Sequence, residues 1–263
     1  MSEAPQAFQI ALAGRIVEIR PMYSQIRALC RDYILPDRRE ADISICLGEL
    51  DIEHEAEIAR REEEGTGIQT FYSPAYLETV GAYRHIVEAL AALDTLLVHG
   101  SVVSTDGQGI MFTAPSGTGK STRTKLWLDT IDSSIVVNGD KPLLRVTESQ
   151  VLAYGTPWCG KEGWNTNTSV PLKAIFLLER SESGNFIREL SFSEAFPKLI
   201  RHTYLTGNAI VRRKTLNLLR SMAGKVKVFQ FKSEPTAEAI KMAWNAVRNE
   251  QSQEKGQNGV QCR

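Results

Sequence analysis

The chain has 263 residues, of which 42% are hydrophobic, with 31 Lys and Arg against 31 Asp and Glu. This composition excludes a disordered or fibrous chain and suffices for one large core or two modest domains. The charge balance gives no general attraction to nucleic acid or an anionic membrane, so any basic patch must be local.

Residues 8–19 and 42–47 carry strand-type patterns, the second with Ile43, Ile45 and Leu47 alternating against Asp42, Ser44 and Cys46. Between them Ile26, Leu29, Cys30 and Tyr33 recur at helical spacing, and Pro36-Asp37 supplies a stop, so a strand, helix, strand opening is predicted. Asp51 to Glu64 is mostly charge and reads as a solvated helix or mobile loop, broken by Gly65-Thr66-Gly67. From Pro74 to Leu93 the apolar positions Leu77, Val80, Tyr83, Val87, Leu90 and Leu93 predict a long helix packed on a central sheet.

Leu96 to Val98 and Val102-Val103 read as strands, and Asp106-Gly107 is a hairpin turn into a third strand that ends near Thr113. A helix from Ser121 to Thr130 follows, then the short strand Ile135 to Val137. A helix running away from the sheet edge and a strand returning to it bring Asn138-Gly139-Asp140 back to the edge where the helix began. Strands at Leu143 to Val146 and Ala174 to Leu178 flank a glycine-rich loop from Gly155 to Asn167. Ser191 and Glu194 form a capping-box pattern, with Pro197 tolerable only in an early helical turn. Helices at Ala209 to Met222 and Pro235 to Val247 flank a strand at Val226 to Phe231, and residues 249–263 form a polar, flexible tail.

The segment Ala114 to Thr122, APSGTGKST, lies between the apolar strand and the helix. In that context it reads as a phosphate-binding P-loop: backbone N–H groups of Ser116, Gly117, Thr118, Gly119, Lys120, Ser121 and Thr122 surround the phosphates, Lys120 bridges them, and Ser121 ligates Mg²⁺. Ala114 replaces the first glycine of the usual pattern, which is compatible only with a negative φ at the strand end. The bland reading is a flexible Gly/Ser turn that happens to contain a lysine.

Asp140 is either a metal ligand and proton acceptor facing Lys120 and Ser121, or a turn aspartate in Asn-Gly-Asp. His99 is either a buried structural histidine or an acid/base group at a strand end. The loop Gly155 to Lys161, GTPWCGK, offers Thr156, Trp158 and Lys161 to a ligand, with Cys159 a bystander that has no histidine nearby in sequence. Glu62 to Glu64, or Glu182 with Glu189, read as solvated faces, and no His/Cys cluster has zinc spacing. Cys30, Cys46, Cys159 and Cys262 are dispersed and read as reduced thiols. With no basic leader, and with the most apolar stretch interrupted by Glu88, Asp94 and His99, the expectation is a cytoplasmic protein without a membrane or nucleic-acid partner.

His99-Gly100, APSGTGKST, NGDKPLLR from Asn138 to Arg145 and GTPWCGK together resemble the C-terminal domain of HPr kinase/phosphorylase and the phosphoenolpyruvate carboxykinase-like P-loop kinases, over residues 96 to 232. The layout as a whole resembles bacterial proteins described as HPr-kinase-like. The resemblance implies an α/β protein with α+β character at the N-terminus, whose mixed central sheet carries the P-loop and is flanked by helices. It divides the chain into an N-terminal region 1–95, a nucleotide-binding core 96–248 and a tail 249–263. It further implies transfer of the γ-phosphoryl group of ATP with Mg²⁺ to a hydroxyl on a peptide, protein or small molecule, with Lys120 on the phosphates, Ser121 and Asp140 on the metal, and Asp140 and His99 in catalysis.

The chain departs from that pattern in having Gly139-Asp140 where the enzymes acting on HPr have two adjacent aspartates, and in lacking their glycine-rich signature after the core. Lasso-peptide tailoring kinases, which resemble distant members of the group, point to a peptide or small hydroxyl acceptor. In a kinase acting on such a hydroxyl, residues 156–168 and Arg201 or Arg212-Arg213 shape the acceptor side. The competing reading is a nucleotide-binding regulatory or scaffold protein without catalysis, and a carboxykinase acting on oxaloacetate is a third. An oligomer is compatible with all of them.

Overall fold

The computed structural model describes residues 5–64, 70–181 and 184–257. The chain forms two compact units, one through Leu93 and one from Asp94 onward.

In the first unit, β1 (Phe8–Leu12) and β2 (Arg15–Arg20) form an antiparallel hairpin, and β3 (Ile43–Cys46) joins β2 in parallel. The run 8–19, read as one stretch of strand, is folded at Ala13 and Gly14, whose φ values of 51° and 70° make a two-residue turn between the paired residues Leu12 and Arg15. The expected crossover helix is short: α1 (Gln25–Leu29) is followed by a single 3₁₀ turn, Arg31–Tyr33. β3 alternates buried and exposed as its sequence predicts.

The charged segment forms α2 (Glu49–Glu63), and α3 (Pro74–Ala91) starts at Ser73, whose hydroxyl accepts from Tyr76 N. The Gly65 to Gly67 break lies outside the described residues, as do Glu182 and Cys262. Glu78 of α3 is fully buried and accepts the N–H groups of Met22 and Tyr23, so it caps the chain just before α1.

The second unit is built on a nine-stranded mixed sheet. Its strands are β4 (Thr95–Leu97), β5 (Ser101–Thr105), β6 (Gln108–Thr113), β7 (Ser134–Asn138), β8 (Leu143–Val146), β9 (Val151–Tyr154), β10 (Ser169–Arg180), β11 (Phe186–Glu189) and β12 (Lys227–Ser233). The main path runs β4-β8-β9-β10-β6-β5-β7, with β12 on β10 and β11 on β12. β10 is longer than its apolar run suggests because its start, Ser169 to Pro171, pairs with β9 before the buried part pairs with β6 and β12.

Alternation along the central strands separates two cores. Met111, Ile175 and Leu177 face α5 (Phe192–Ile200) and α6 (Ala209–Ala223), whereas Ile110, Phe112, Ala174 and Phe176 face α4 (Lys120–Thr130) and α7 (Ala237–Gln257). The capping box at Ser191 forms, and Pro197 sits in the second turn of α5. α7 continues as backbone helix to Gln257, past the Val247 end expected for it.

One buried aromatic ring fixes α4 between the sheet and α7. Trp127 is inaccessible to solvent, contacts Phe112 and Trp244 edge-on at 5.5 and 5.7 Å between centroids, and donates its indole N–H to Thr105 Oγ1 at 2.8 Å. Among the described residues no helix is long and apolar enough to cross a membrane. Trp127→Ala should cost about 3–5 kcal/mol in urea unfolding, because the void left between sheet, α4 and α7 has rigid walls.

Candidate functional site

β5 pairs antiparallel with both β6 and β7, so β6 and β7 run the same way and their C-terminal ends share one edge of the sheet. The hairpin joining β5 to β6 turns at Asp106 and Gly107, with φ of 50° and 72°. Beyond β6 the loop 114–119 leads directly into α4. Gly117 and Gly119 have φ of 74° and 102°, a region that glycine enters without a Cβ clash. Ala114 is buried and is not among the residues with positive φ, so the expected condition on this position is met. Gly119 is the helix N-cap, and no acidic side chain occupies the first turn of α4.

Lys120 is half-buried and donates from Nζ to the carbonyl of Ala114 at 3.0 Å, folding back over the loop. Burial lowers its pKa and the Asp140 charge opposes that fall. Ser116 and Thr122 are exposed, while Thr118 and Ser121 are partly so.

Asp140 reaches the same edge just after β7. His99 Nε2 lies 2.8 Å from its Oδ1, and the Gly100 N–H donates to its carbonyl at 2.9 Å. The Thr113 hydroxyl in turn donates to the His99 carbonyl at 2.6 Å. The strand that feeds the loop is thus tied through His99 and Gly100 to the acid. Burial pushes the Asp140 carboxyl up, but His99, Lys141 and Lys120 outweigh it and hold the group below its ordinary value, ionised near neutral pH. Its Oδ2 makes no hydrogen bond among the described residues.

The 155–168 loop is mainly scaffold. Thr156 is inaccessible and its hydroxyl lies 3.0 Å from the Lys141 carbonyl and 3.1 Å from that of Trp158. Asn138 donates to Thr156 O and Oγ1, and its Oδ1 accepts the N–H groups of Asp140 and Lys141 at 2.9 and 2.7 Å, fixing the turn that presents the acid. Trp158 is buried too. Thr156 and Trp158 therefore do not face a ligand as the sequence suggested, and of that trio only Lys161 is exposed.

Cys159 is buried beside Asn165 Nδ2 at 3.1 Å, and burial raises its thiol pKa, which leaves it protonated. Cys30, Cys46 and Cys159 are free thiols. Gly139 is tightly packed, since a Cβ there would lie 3.0 Å from the Cys159 carbonyl and 3.3 Å from that of Trp164.

Sequence reasoning missed three residues at this edge. His202 follows α5, and the stretch 202–204 pairs with 97–99: its carbonyl accepts the His99 N–H at 2.7 Å, and Tyr204 N–H donates to Leu97 at 3.0 Å. Burial, with the charges of His99, Lys120 and Arg201, pushes the His202 pKa down to about 4, so its ring is neutral near pH 7. Arg123 and Arg180 bond the outer side of the loop. No local pattern announces any of these, because each meets the site through residues distant in sequence. Arg212 and Arg213 are exposed on α6.

The family model of the SynChlorMet cassette protein ScmC matches residues 75–245. The chain belongs to the ScmC family. Among solved structures it is similar to the HPr(Ser) kinase/phosphatase from Coxiella burnetii, at 13% identity and a TM-score of 0.37, over 62% of this chain and 94% of that one. No curated protein matches. The ScmC match spans nearly all of α3, the loop, Asp140 and the whole nine-stranded sheet, so the elements that build this edge all lie within the family's shared region.

His202 and Asp140 affect stability in separate pH windows. The folded protein resists protonating His202 while the unfolded chain takes the proton near 6.5, so stability falls as pH drops from 6.5 toward 4. Asp140 acts below its ordinary value of 3.8, where the stability its ionised form contributes is lost. His202→Asn should therefore lose fewer degrees of Tm than the parent between pH 7 and 4.5, a difference read by thermal melts across that range.

Proposed function

We propose that this ScmC-family protein is an ATP-dependent kinase that transfers the γ-phosphoryl group to a hydroxyl, carried by a serine of a peptide or protein or by a small molecule. The observation that carries this reading is the convergence of a glycine-turned loop and its lysine with an ionised aspartate on one sheet edge, tied together by Thr113, His99 and Gly100.

The loop amides and the N-terminus of α4 suit a polyphosphate tail, since unpaired N–H groups and the helix dipole both favour negative charge. Lys120 leaves the Ala114 carbonyl to meet the transferring phosphate. Its half-buried position strengthens that contact relative to water. Ser121 and Asp140 are the residues that would hold Mg²⁺, whose contribution when bound is to neutralise charge on the phosphate oxygens. The donor set fits such an ion: a hydroxyl and a carboxylate oxygen are hard ligands, and the remaining positions fall to phosphates and water. Among the described residues no group of three or more His, Cys, Asp and Glu could hold a metal by itself, so the site is not a dedicated protein cage.

In the transfer, the acceptor oxygen bonds to the γ-phosphorus as the bond from phosphorus to the β–γ bridging oxygen breaks and ADP leaves. The acceptor proton passes to Asp140, oriented by His99 on its other oxygen. Lys161 and Arg201 are both exposed and would be the cations offered to the acceptor.

A second reading, a regulatory protein that binds nucleotide without turning it over, is favoured by one observation: the residue beside Asp140 is a tightly packed glycine rather than a second acid.

Mg²⁺-dependent ATP consumption with a phosphorylated product tests the kinase. Lys120→Ala should lower kcat/KM by about a hundredfold or more, several kcal/mol of transition-state stabilisation, and unchanged turnover would refute the assignment. Asp140→Asn separates the two readings. It should keep measurable Mg-ATP binding by calorimetry while product formation falls by at least about a hundredfold. Tight binding by the parent with no product across a panel of hydroxyl acceptors would favour the regulatory protein.

A further inference from the structure

Two guanidinium groups hold the outer side of the phosphate loop. Arg180, at the end of β10, donates from Nη2 to the Gly117 carbonyl at 2.6 Å. Arg123, one turn into α4, donates from Nη1 to the Thr118 carbonyl at 3.3 Å and from Nη2 to the Ser233 carbonyl at 2.6 Å. These are consecutive carbonyls of the loop. In a trans peptide the N–H points opposite to the C=O, so a carbonyl held outward turns the following N–H toward the inner side. Arg123 on Thr118 thereby aims the Gly119 N–H inward, and that N–H has no hydrogen-bond partner among the described residues. Arg180 fixes the preceding peptide, whose Thr118 N–H closes the turn on Pro115 at 3.3 Å.

The charge balance points the same way. Arg123 is 3% exposed, yet its hydrogen-bond partners are the neutral oxygens of Thr118 and Ser233, with the Phe231 ring 6.0 Å away. Among the described residues no carboxylate bonds either Arg123 or Arg180. Burying a cation without a counter-ion is costly. Here two guanidiniums and the Lys120 ammonium surround one loop, and a bound polyphosphate would supply the missing negative charge.

We propose that Arg180 is a positioning residue of the phosphate cradle. Together with the buried Arg123 it holds the loop carbonyls outward and adds positive charge behind the bound phosphates. The affinity half of this proposal rests on the nucleotide-binding reading above, while the bracing half does not.

The test uses the full chain with Arg180→Gln and Arg180→Lys, since the residue is exposed and its replacement leaves both cores intact. Hydrogen–deuterium exchange across residues 114–121 is measured without ligand, Mg-ATP affinity by calorimetry, and Tm for each protein. Arg180→Gln should exchange faster in that segment and bind Mg-ATP about tenfold more weakly or worse, with Tm unchanged. Arg180→Lys, which keeps one donor and the charge, should recover most of the affinity. Affinity and exchange in Arg180→Gln equal to the parent's would overturn the proposal. So would a fall in Tm with equal loss in both variants, the mark of a purely structural residue. Faster exchange in a protein whose parent gives no heat with Mg-ATP would sustain the brace and refute nucleotide binding.

Discussion

The site depends on a close approach at Gly100. A Cβ there would lie 2.6 Å from both the Phe112 carbonyl and Met111 Cε, so only glycine lets the chain leave β4 and enter β5 against the end of β6. That approach puts the His99 carbonyl on the Thr113 hydroxyl and the Gly100 N–H on the Asp140 carbonyl. Each hydrogen bond adds only about 1 kcal/mol net. Their value is geometric: the acid cannot shift relative to the loop without leaving partly buried polar groups unpaired, which costs more than the bonds contribute.

A second constraint holds Asp140 from behind. Asn138 is fully buried and its amide divides its bonding between two structures: Nδ2 reaches the Thr156 segment, and Oδ1 collects two N–H groups of the Asn138 to Lys141 turn. Gly155 is obligatory in the same assembly, because a Cβ would fall 2.0 Å from the Thr166 carbonyl. The loop that reads in sequence as a ligand contact is therefore a strut. Its glycines permit backbone packing on backbone, while its threonine hydroxyl spans the strut from inside.

This difference shows where sequence reading succeeds. The glycine-turned loop between β6 and α4, the Asp106-Gly107 hairpin, the alternation of β3 and the return of β7 follow from local spacing and turn chemistry, and all were legible. β9, β11 and the split of residues 8–19 at Ala13 were not, since short strands and a turn through alanine carry little local signal. The site residues divide the same way. Asp140 and Lys120 announce themselves beside glycines. Arg123 looks like one more polar residue in KSTRTK, and only its contact with Ser233, 110 positions away, shows that its face of α4 is the buried one. Arg180 and His202 likewise acquire their neighbours from the sheet. A threonine in a glycine-rich loop gives no hint of direction, which is why Thr156 was assigned to the ligand rather than to the strut.

The strut also packs closely on the residue that precedes the acid. At Gly139 the Cys159 and Trp164 carbonyls point into the space a side chain would need, and the Gly139 N–H is already bonded to Trp164 at 2.8 Å. A carboxylate placed there would meet the negative ends of two backbone dipoles and would lift the loop that supports Asn138. A side chain at Gly139 would therefore require these carbonyls to give by a few tenths of an ångström. His99 occupies Oδ1 of Asp140 and leaves Oδ2 without a hydrogen bond among the described residues. The cations around it offset the burial that would otherwise favour its protonated form, so the carboxylate stays ionised at this edge of the sheet.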